Sequence, residues 1–154
     1  MKLTLAIIFF IFLSACSSNE KKSNQAELEA PKIEQLSEAE LTEMSSYVVL
    51  LETIVMSTMG QESNFDHGTI SFLDTVVVSF GENLNDAMKR SIGAYLGESL
   101  IRTYGGKWVK TQYGIGVEIN DSLLAFPFER INKVHNNPEE YNLAGYFDAF
   151  SDHI

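Results

Sequence analysis

Apolar residues are distributed along this chain in three textures. From Leu3 to Leu13 they form one run interrupted only by Thr4, too short to cross a bilayer as a stable helix. Ser17 to Leu36 is polar and charged and carries few large apolar residues, too few to order itself by burial. From Ser37 onward apolar positions recur at helical spacing. Ser37 and Glu40 form a capping-box pair, and Leu41, Met44, Val48, Leu51, Val55 and Met59 follow at steps of three or four up to Gly60. This predicts one long amphipathic helix with a glycine stop.

Gln61 to Gly68 is polar and reads as a loop. In Thr69 to Phe80 the run Thr75-Val76-Val77-Val78 has strand composition, yet Ile70, Leu73, Val77 and Phe80 recur at helical spacing before Gly81; the spacing favours a helix. Gly81 to Asn83 turns the chain, and Asn83 or Asn85 can cap the helix that follows. That helix centres on Ser91 to Tyr104, with Ile92, Leu96 and Ser99 on one side and a strip of small residues, Gly93, Ala94 and Gly97, beside them, where another backbone can come close. Glu98 and Arg102 lie four apart in the favourable acid-before-base order, and Gly105-Gly106 ends the helix.

Beyond it, Trp108 to Tyr113, Gly116 to Ile119 and Leu123 to Phe126 are rich in aromatic and β-branched residues and are divided by Gly114 and Asn120-Asp121. They predict an antiparallel meander of about three strands, which needs a helix layer on one face. Pro127 breaks the last strand, and Phe128, Ile131 and Val134 make a short return. Asn136-Asn137 and Pro138-Glu139-Glu140 read as a helix start, with Leu143, Tyr146, Phe147 and Phe150 completing a closing amphipathic helix. The expected fold class is α+β: helices packed on a small antiparallel sheet of about three strands, with a helix-rich N-terminal half and a closing C-terminal helix.

The N-terminal run acquires meaning from its flanks. Lys2 precedes it and Leu13-Ser14-Ala15-Cys16 closes it, so the segment reads as a secretory signal, and this tetrapeptide resembles the lipobox of bacterial lipoproteins. The resemblance implies that residues 1–15 are removed, that Cys16 carries a diacylglyceryl group with further acyl chains such as palmitate, and that the membrane is a partner through this N-terminal lipid. Several acyl chains anchor far more firmly than one. Ser17 is not an aspartate, which by the enteric sorting pattern favours the outer membrane over the inner. Residues 16–36 then form a flexible tether with a root-mean-square span of roughly 25 Å, and residues 37–154 a single domain of ordinary size.

Cys16 is the only cysteine, so its acylation excludes both a thiol nucleophile and a disulfide scaffold. Eleven Lys and Arg stand against twenty-one Asp and Glu, a net charge of −10. Such a surface repels nucleic acid and anionic headgroups and suits cationic partners.

The combination Gly93-Ala94-Tyr95-Leu96-Gly97-Glu98, Arg102, Gly105-Gly106, Trp108 and Phe126-Pro127-Phe128 resembles a scattered family of small bacterial α+β domains with a Gly-Ala-Tyr-Leu-Gly-Glu helix and a Gly-Gly-x-Trp exit. The likeness spans residues 37–150 and is most specific from Gly93 to Trp108. Members often carry two adjacent arginines; here Ile101 precedes Arg102. The resemblance implies a fold and carries no reaction with it.

Glu98, Arg102, Tyr95 and Trp108 are the candidate ligand or interface residues. Tyr95 and Trp108 can form an aromatic wall, while Glu98 with Arg102 can equally be a structural pair. His67, His135 and His153 lack the spacing of a metal site and read as surface residues. No Gly-x-Ser-x-Gly elbow or phosphate-cradling glycine loop occurs, so the sequence calls for no cofactor, metal or catalytic residue. It favours a non-enzymatic, envelope-anchored binding module for another envelope protein, one version being an immunity-type inhibitor that meets a cationic toxin. The alternative is a small-ligand or glycan-binding sensor or enzyme with a cleft near Glu98 and Arg102.

Overall fold

Ser37 opens the helical half as its sequence pattern requires. Its backbone N–H donates to Glu40 Oε2 at 2.8 Å, and the Glu40 N–H returns to Ser37 Oγ at 3.4 Å, the reciprocal pair that satisfies orphan donors at a helix start. The computed structural model describes residues 31–60, 63–121 and 123–153. The signal segment, Cys16 and the tether up to residue 30 lie outside them, as do the side chains of Val55 and Met59. The chain then runs through α1 (Glu38–Met59), α2 (His67–Phe80), a 3-10 turn (Gly81–Asn83) and α3 (Asp86–Tyr104), with the strand β1 (Glu34–Gln35) ahead of α1. After α3 come β2 (Lys107–Thr111), β3 (Gly114–Ile119), β4 (Leu123–Ala125), α4 (Pro127–Asn136), α5 (Leu143–Asp148) and a last 3-10 turn (Ser151–His153). The protein is α+β.

The sheet is antiparallel throughout, in the order β1-β2-β3-β4. It therefore has four strands where the sequence predicts about three. The fourth is β1, in residues assigned by sequence to the tether: Glu34 pairs with Lys110 and Gln35 with Val109, and Leu36 is buried in the core. Trp108, Val117 and Ala125 lie in register across β2, β3 and β4 and point at the helices, all three buried.

α3 is the element the others surround. Every residue from Ser91 to Gly97 is buried, together with Ser99 and Leu100, so this helix is covered on all sides, as an all-round apolar or small-residue helix must be. Asn85, not Asn83, is its cap, accepting from Met88 N–H at 2.9 Å. At its two glycines the strip seats aromatic rings, where the sequence suggests a neighbouring backbone. A Cβ added at Gly97 would clash with the edge of the Trp108 ring, 2.5 Å from Cζ2, and one at Gly93 would stand 2.5 Å from Cδ1 of Phe128. Gly106, at φ +124°, lets the chain leave α3 against the Glu118 carbonyl of β3, where a Cβ has no room.

α2 settles the ambiguous stretch as a helix. Asp66 caps it by accepting the Thr69 N–H and hydroxyl at 2.8 and 3.0 Å, and these bonds hold its carboxyl below the ordinary value. The closing helix starts later than the Asn137-Pro138 signal suggests. Its cap is Asn142, accepting from Gly145 N–H, and Asp74 of α2 receives the Leu143 and Ala144 N–H groups. A carboxylate from a distant helix thus fixes where α5 begins. Residues 138–140 form a turn instead. Tyr104, Phe147, Phe150 and Tyr146 close this end as a chain of tilted and edge-on ring contacts.

Candidate functional site

The four residues singled out by sequence divide between two faces of α3. Tyr95, Glu98 and Arg102 share one face. Tyr95 is buried, its ring stacked on Phe65 with centroids 4.5 Å apart and planes 13° from parallel. Its hydroxyl accepts the Phe65 N–H at 2.9 Å and lies 2.5 Å from Ser63 Oγ. One and two turns further along the same face, the Arg102 guanidinium sits 3.6 Å from the Phe65 ring centroid, and its Nε donates to Glu98 Oε1 at 2.8 Å. Phe65 is held at φ 55°, a conformation that a bulky residue adopts only when its surroundings enforce it. These contacts enforce it. Together they clip the loop before α2 onto α3, and they engage Tyr95, Glu98 and Arg102 with groups of the chain itself.

Trp108 belongs to the other face. It is 8% exposed, packs over Gly97 and stands 6.0 Å from the Phe128 ring. It shares no cleft with Tyr95. Sequence spacing finds the Glu98–Arg102 pair correctly, but Phe65, its aromatic partner, carries no local signal because it lies more than thirty residues away.

An open recess exists elsewhere, between the N-terminal parts of α1 and α3, with β3 and α4 beneath. Its volume is about 410 Å³. Met44, Ile115 and Phe128 form an apolar floor, and Phe128 is backed in turn by Gly93 and Trp108. Glu43 and Tyr47 line the α1 side; Asp86, Lys89 and Arg90 line the α3 side, with Asn132 on α4. The Tyr47 hydroxyl links the two walls, donating to Glu43 Oε1 at 2.9 Å and accepting from Arg90 Nη1 at 3.3 Å. That bond, with the Glu43 and Asp86 charges, raises the Arg90 pKa, so the guanidinium is a fixed positive charge.

Several of the cations outside this recess are already engaged. Lys107 pairs with Glu118 at 3.0 Å, Lys110 with Glu40 at 2.9 Å and Arg102 with Glu98, while Arg130 donates twice to the Asn142 carbonyl. Among the described residues, Lys89 and Asp86 have no ion pair and no side-chain hydrogen bond, and Arg90 makes only the bond to Tyr47. The recess therefore combines an apolar floor with convergent polar groups not already satisfied, the usual composition of a binding site.

Metal chemistry finds no cluster here: no group of three His, Cys, Asp or Glu side chains converges among the described residues. His67 pairs with Asp148 at 2.9 Å. His135 is half-buried instead of superficial, its Nε2 donating to the Gly81 carbonyl at 2.8 Å, which requires the proton on Nε2. No helix among the described residues is long and apolar enough to cross a membrane. No family model, curated protein or solved structure matches the chain.

Proposed function

We propose that this chain is a bacterial envelope lipoprotein, anchored through Cys16, whose α+β domain is a non-enzymatic module that binds another envelope protein at the recess between α1 and α3. The anchor rests on Lys2, the apolar run and Leu13-Ser14-Ala15-Cys16, with the outer membrane as the favoured location. The binding reading is carried by the open recess, where an apolar floor meets unpaired charges. A net charge of −10 favours a cationic partner and accelerates encounter with it; a wall- or membrane-directed toxin, met by an immunity-type inhibitor, is one such partner. Glu98 and Arg102 already engage each other and Phe65, which gives a cleft at that position no support and makes the small-ligand or glycan reading there the weaker one.

The test is affinity capture of the tagged mature protein from its own envelope, read by mass spectrometry, with wild type compared to Arg90→Gln and Glu98→Gln. A stoichiometric partner lost in Arg90→Gln and retained in Glu98→Gln supports the reading. Absence of any partner for the well-folded protein refutes it. Metabolic labelling with a clickable palmitate analogue, abolished by Cys16→Ser, checks the anchor separately. The inhibitor version fails if deleting the gene leaves cells no more sensitive to their kin.

A further inference from the structure

Resting on the binding-module reading, we propose that the recess takes a peptide segment in which one apolar, preferably aromatic, side chain is flanked by a carboxylate on one side and a cation on the other. The floor selects the apolar side chain. Met44 and the ring of Phe128 present carbon surface with Ile115 beside them, and Phe128 cannot retreat because Gly93 and Trp108 are already in contact behind it. A firm apolar floor favours an inserted side chain over water.

The rim selects the flanks. Lys89 and Arg90 on α3 offer donors to a carboxylate, and Arg90 keeps most of its fork after one bond to Tyr47. Glu43 and Asp86 offer acceptors to an ammonium or guanidinium. A purely anionic ligand meets Glu43 and Asp86 as like charges, and a purely cationic one meets Lys89 and Arg90; a segment bearing both signs satisfies both walls. Such rim charges fix orientation more than they add affinity. At about 410 Å³ the recess lies near the small end of the range for ligand sites, roughly 300–1,000 Å³, which suits two or three residues of extended chain. The occupant is an exposed segment of an envelope protein, the partner class named by the binding-module reading on which this rests.

The probe is a set of blocked tripeptides added to the full-length chain in detergent micelles: acetyl-Lys-Phe-Glu-amide, acetyl-Glu-Phe-Lys-amide, and versions with Ala for Phe or Gln for Glu. Trp108 is the single tryptophan and lies against the floor residue Phe128, so its emission reports occupancy, with calorimetry as an independent readout. One of the two orders is expected to bind, and its Ala version at least about tenfold more weakly, as burial of a large apolar side chain implies. Arg90→Gln should weaken the Glu-bearing peptide about three- to tenfold and leave the Gln version unchanged, a coupling that a purely structural effect does not produce. Asp86→Asn probes the opposite flank without touching Arg90, and Lys133→Gln, outside the recess, should leave binding as in wild type. No binding of either order, equal binding of the Gln version, or indifference to both Arg90→Gln and Asp86→Asn overturns the proposal. If envelope capture yields a partner while none of these peptides binds, the recess chemistry is wrong and the binding-module reading stands. Peptide binding with no captured protein supports the recess chemistry, assigns it to free short peptides and refutes the protein-partner reading.

Discussion

Replacing Gly97 by alanine adds one methyl group to the middle of the molecule. That methyl would sit 2.5 Å from Cζ2 and 2.9 Å from Cζ3 of Trp108, with Cη2 nearer still, so the ring must move. It has nowhere to go: Trp108 is 8% exposed, lies on the helix-facing side of the sheet beside Val117, and touches Phe128. Displacing it forfeits much of what a buried tryptophan contributes, about 3–5 kcal/mol for large aromatic losses in cores, while alanine regains about 1 kcal/mol of helix propensity over glycine. The expected net loss is about 2–4 kcal/mol, a large share of the 5–15 kcal/mol typical of a domain, and roughly 10 °C in Tm at this chain length. Urea unfolding followed by Trp108 emission measures both terms, since a displaced ring shifts its spectrum before unfolding begins. Gly93→Ala is the internal comparison: Phe128 is only half-buried and borders the open recess, so its ring, closed in behind by Gly93 and Trp108, can still be pushed outward into that recess, and the net cost should be about 1 kcal/mol or less. Trp108→Phe placed in the Gly97→Ala background should recover part of the loss by vacating the clash. A Gly97→Ala protein as stable as wild type with unchanged Trp108 emission refutes the reasoning.

Glu40 is held down from 4.5 to about 2, chiefly by the Lys110 ammonium and then by the Ser37 hydroxyl and N–H. Because the folded value is the lower one, its contribution is complete above about pH 4.5 and disappears as pH falls toward 2; the stability gap between wild type and Glu40→Gln should be constant near neutrality and close across that interval in a denaturant series. Asp74→Ala strips the acceptor from two amides at the start of α5, which should cost about 1–3 kcal/mol and accelerate hydrogen exchange at Leu143 and Ala144, with Asp74→Asn intermediate. Arg102→Ala removes the cation over Phe65 and should cost about 1 kcal/mol, whereas Glu98→Gln, at a partly exposed i,i+4 pair that keeps an acceptor for Arg102, should cost less than about 0.5 kcal/mol in the same unfolding assay. A loss above about 2 kcal/mol in Glu98→Gln contradicts the clip described for this face.

The elements readable in the sequence are those whose causes are local. Ser37 and Glu40 stand three apart and bond reciprocally; Ile70, Leu73 and Val77 recur at helical spacing and are the buried face of α2. The elements misread have distant causes. β1 is two exposed residues with no alternation to detect, and it exists because the edge of β2 offers Val109 and Lys110 for pairing. The sequence marks Asn136-Asn137 as the start of the closing helix; what places the start at Asn142 instead is the Asp74 carboxylate, 69 positions from Leu143. Likewise the Gly93–Gly97 spacing marks a close approach in the sequence, but only the fold says that two rings make it.

The same distinction separates the two candidate sites. Glu98 and Arg102 are conspicuous because they lie four apart, and that spacing is what allows each to satisfy the other; the visibility of the pair is the reason it has little left to offer a ligand. The recess is assembled from α1, α3, β3 and α4; Glu43 with Tyr47 and Asp86 with Arg90 also stand four apart, but no local spacing shows that these two pairs face each other across a recess. One trace of it was available. Lys89-Arg90 is the only adjacent basic pair in residues 37–154, where Asp and Glu outnumber Lys and Arg seventeen to seven. In a surface so rich in carboxylates, two neighbouring cations without a carboxylate ion pair among the described residues are worth explaining, since three of the other five bases in residues 37–154, Lys107, Lys110 and Arg102, have found one. Two such cations beside an exposed apolar floor are therefore a stronger sign of recognition than a well-formed ion pair, because an interaction already complete within the chain leaves nothing for a partner to complete.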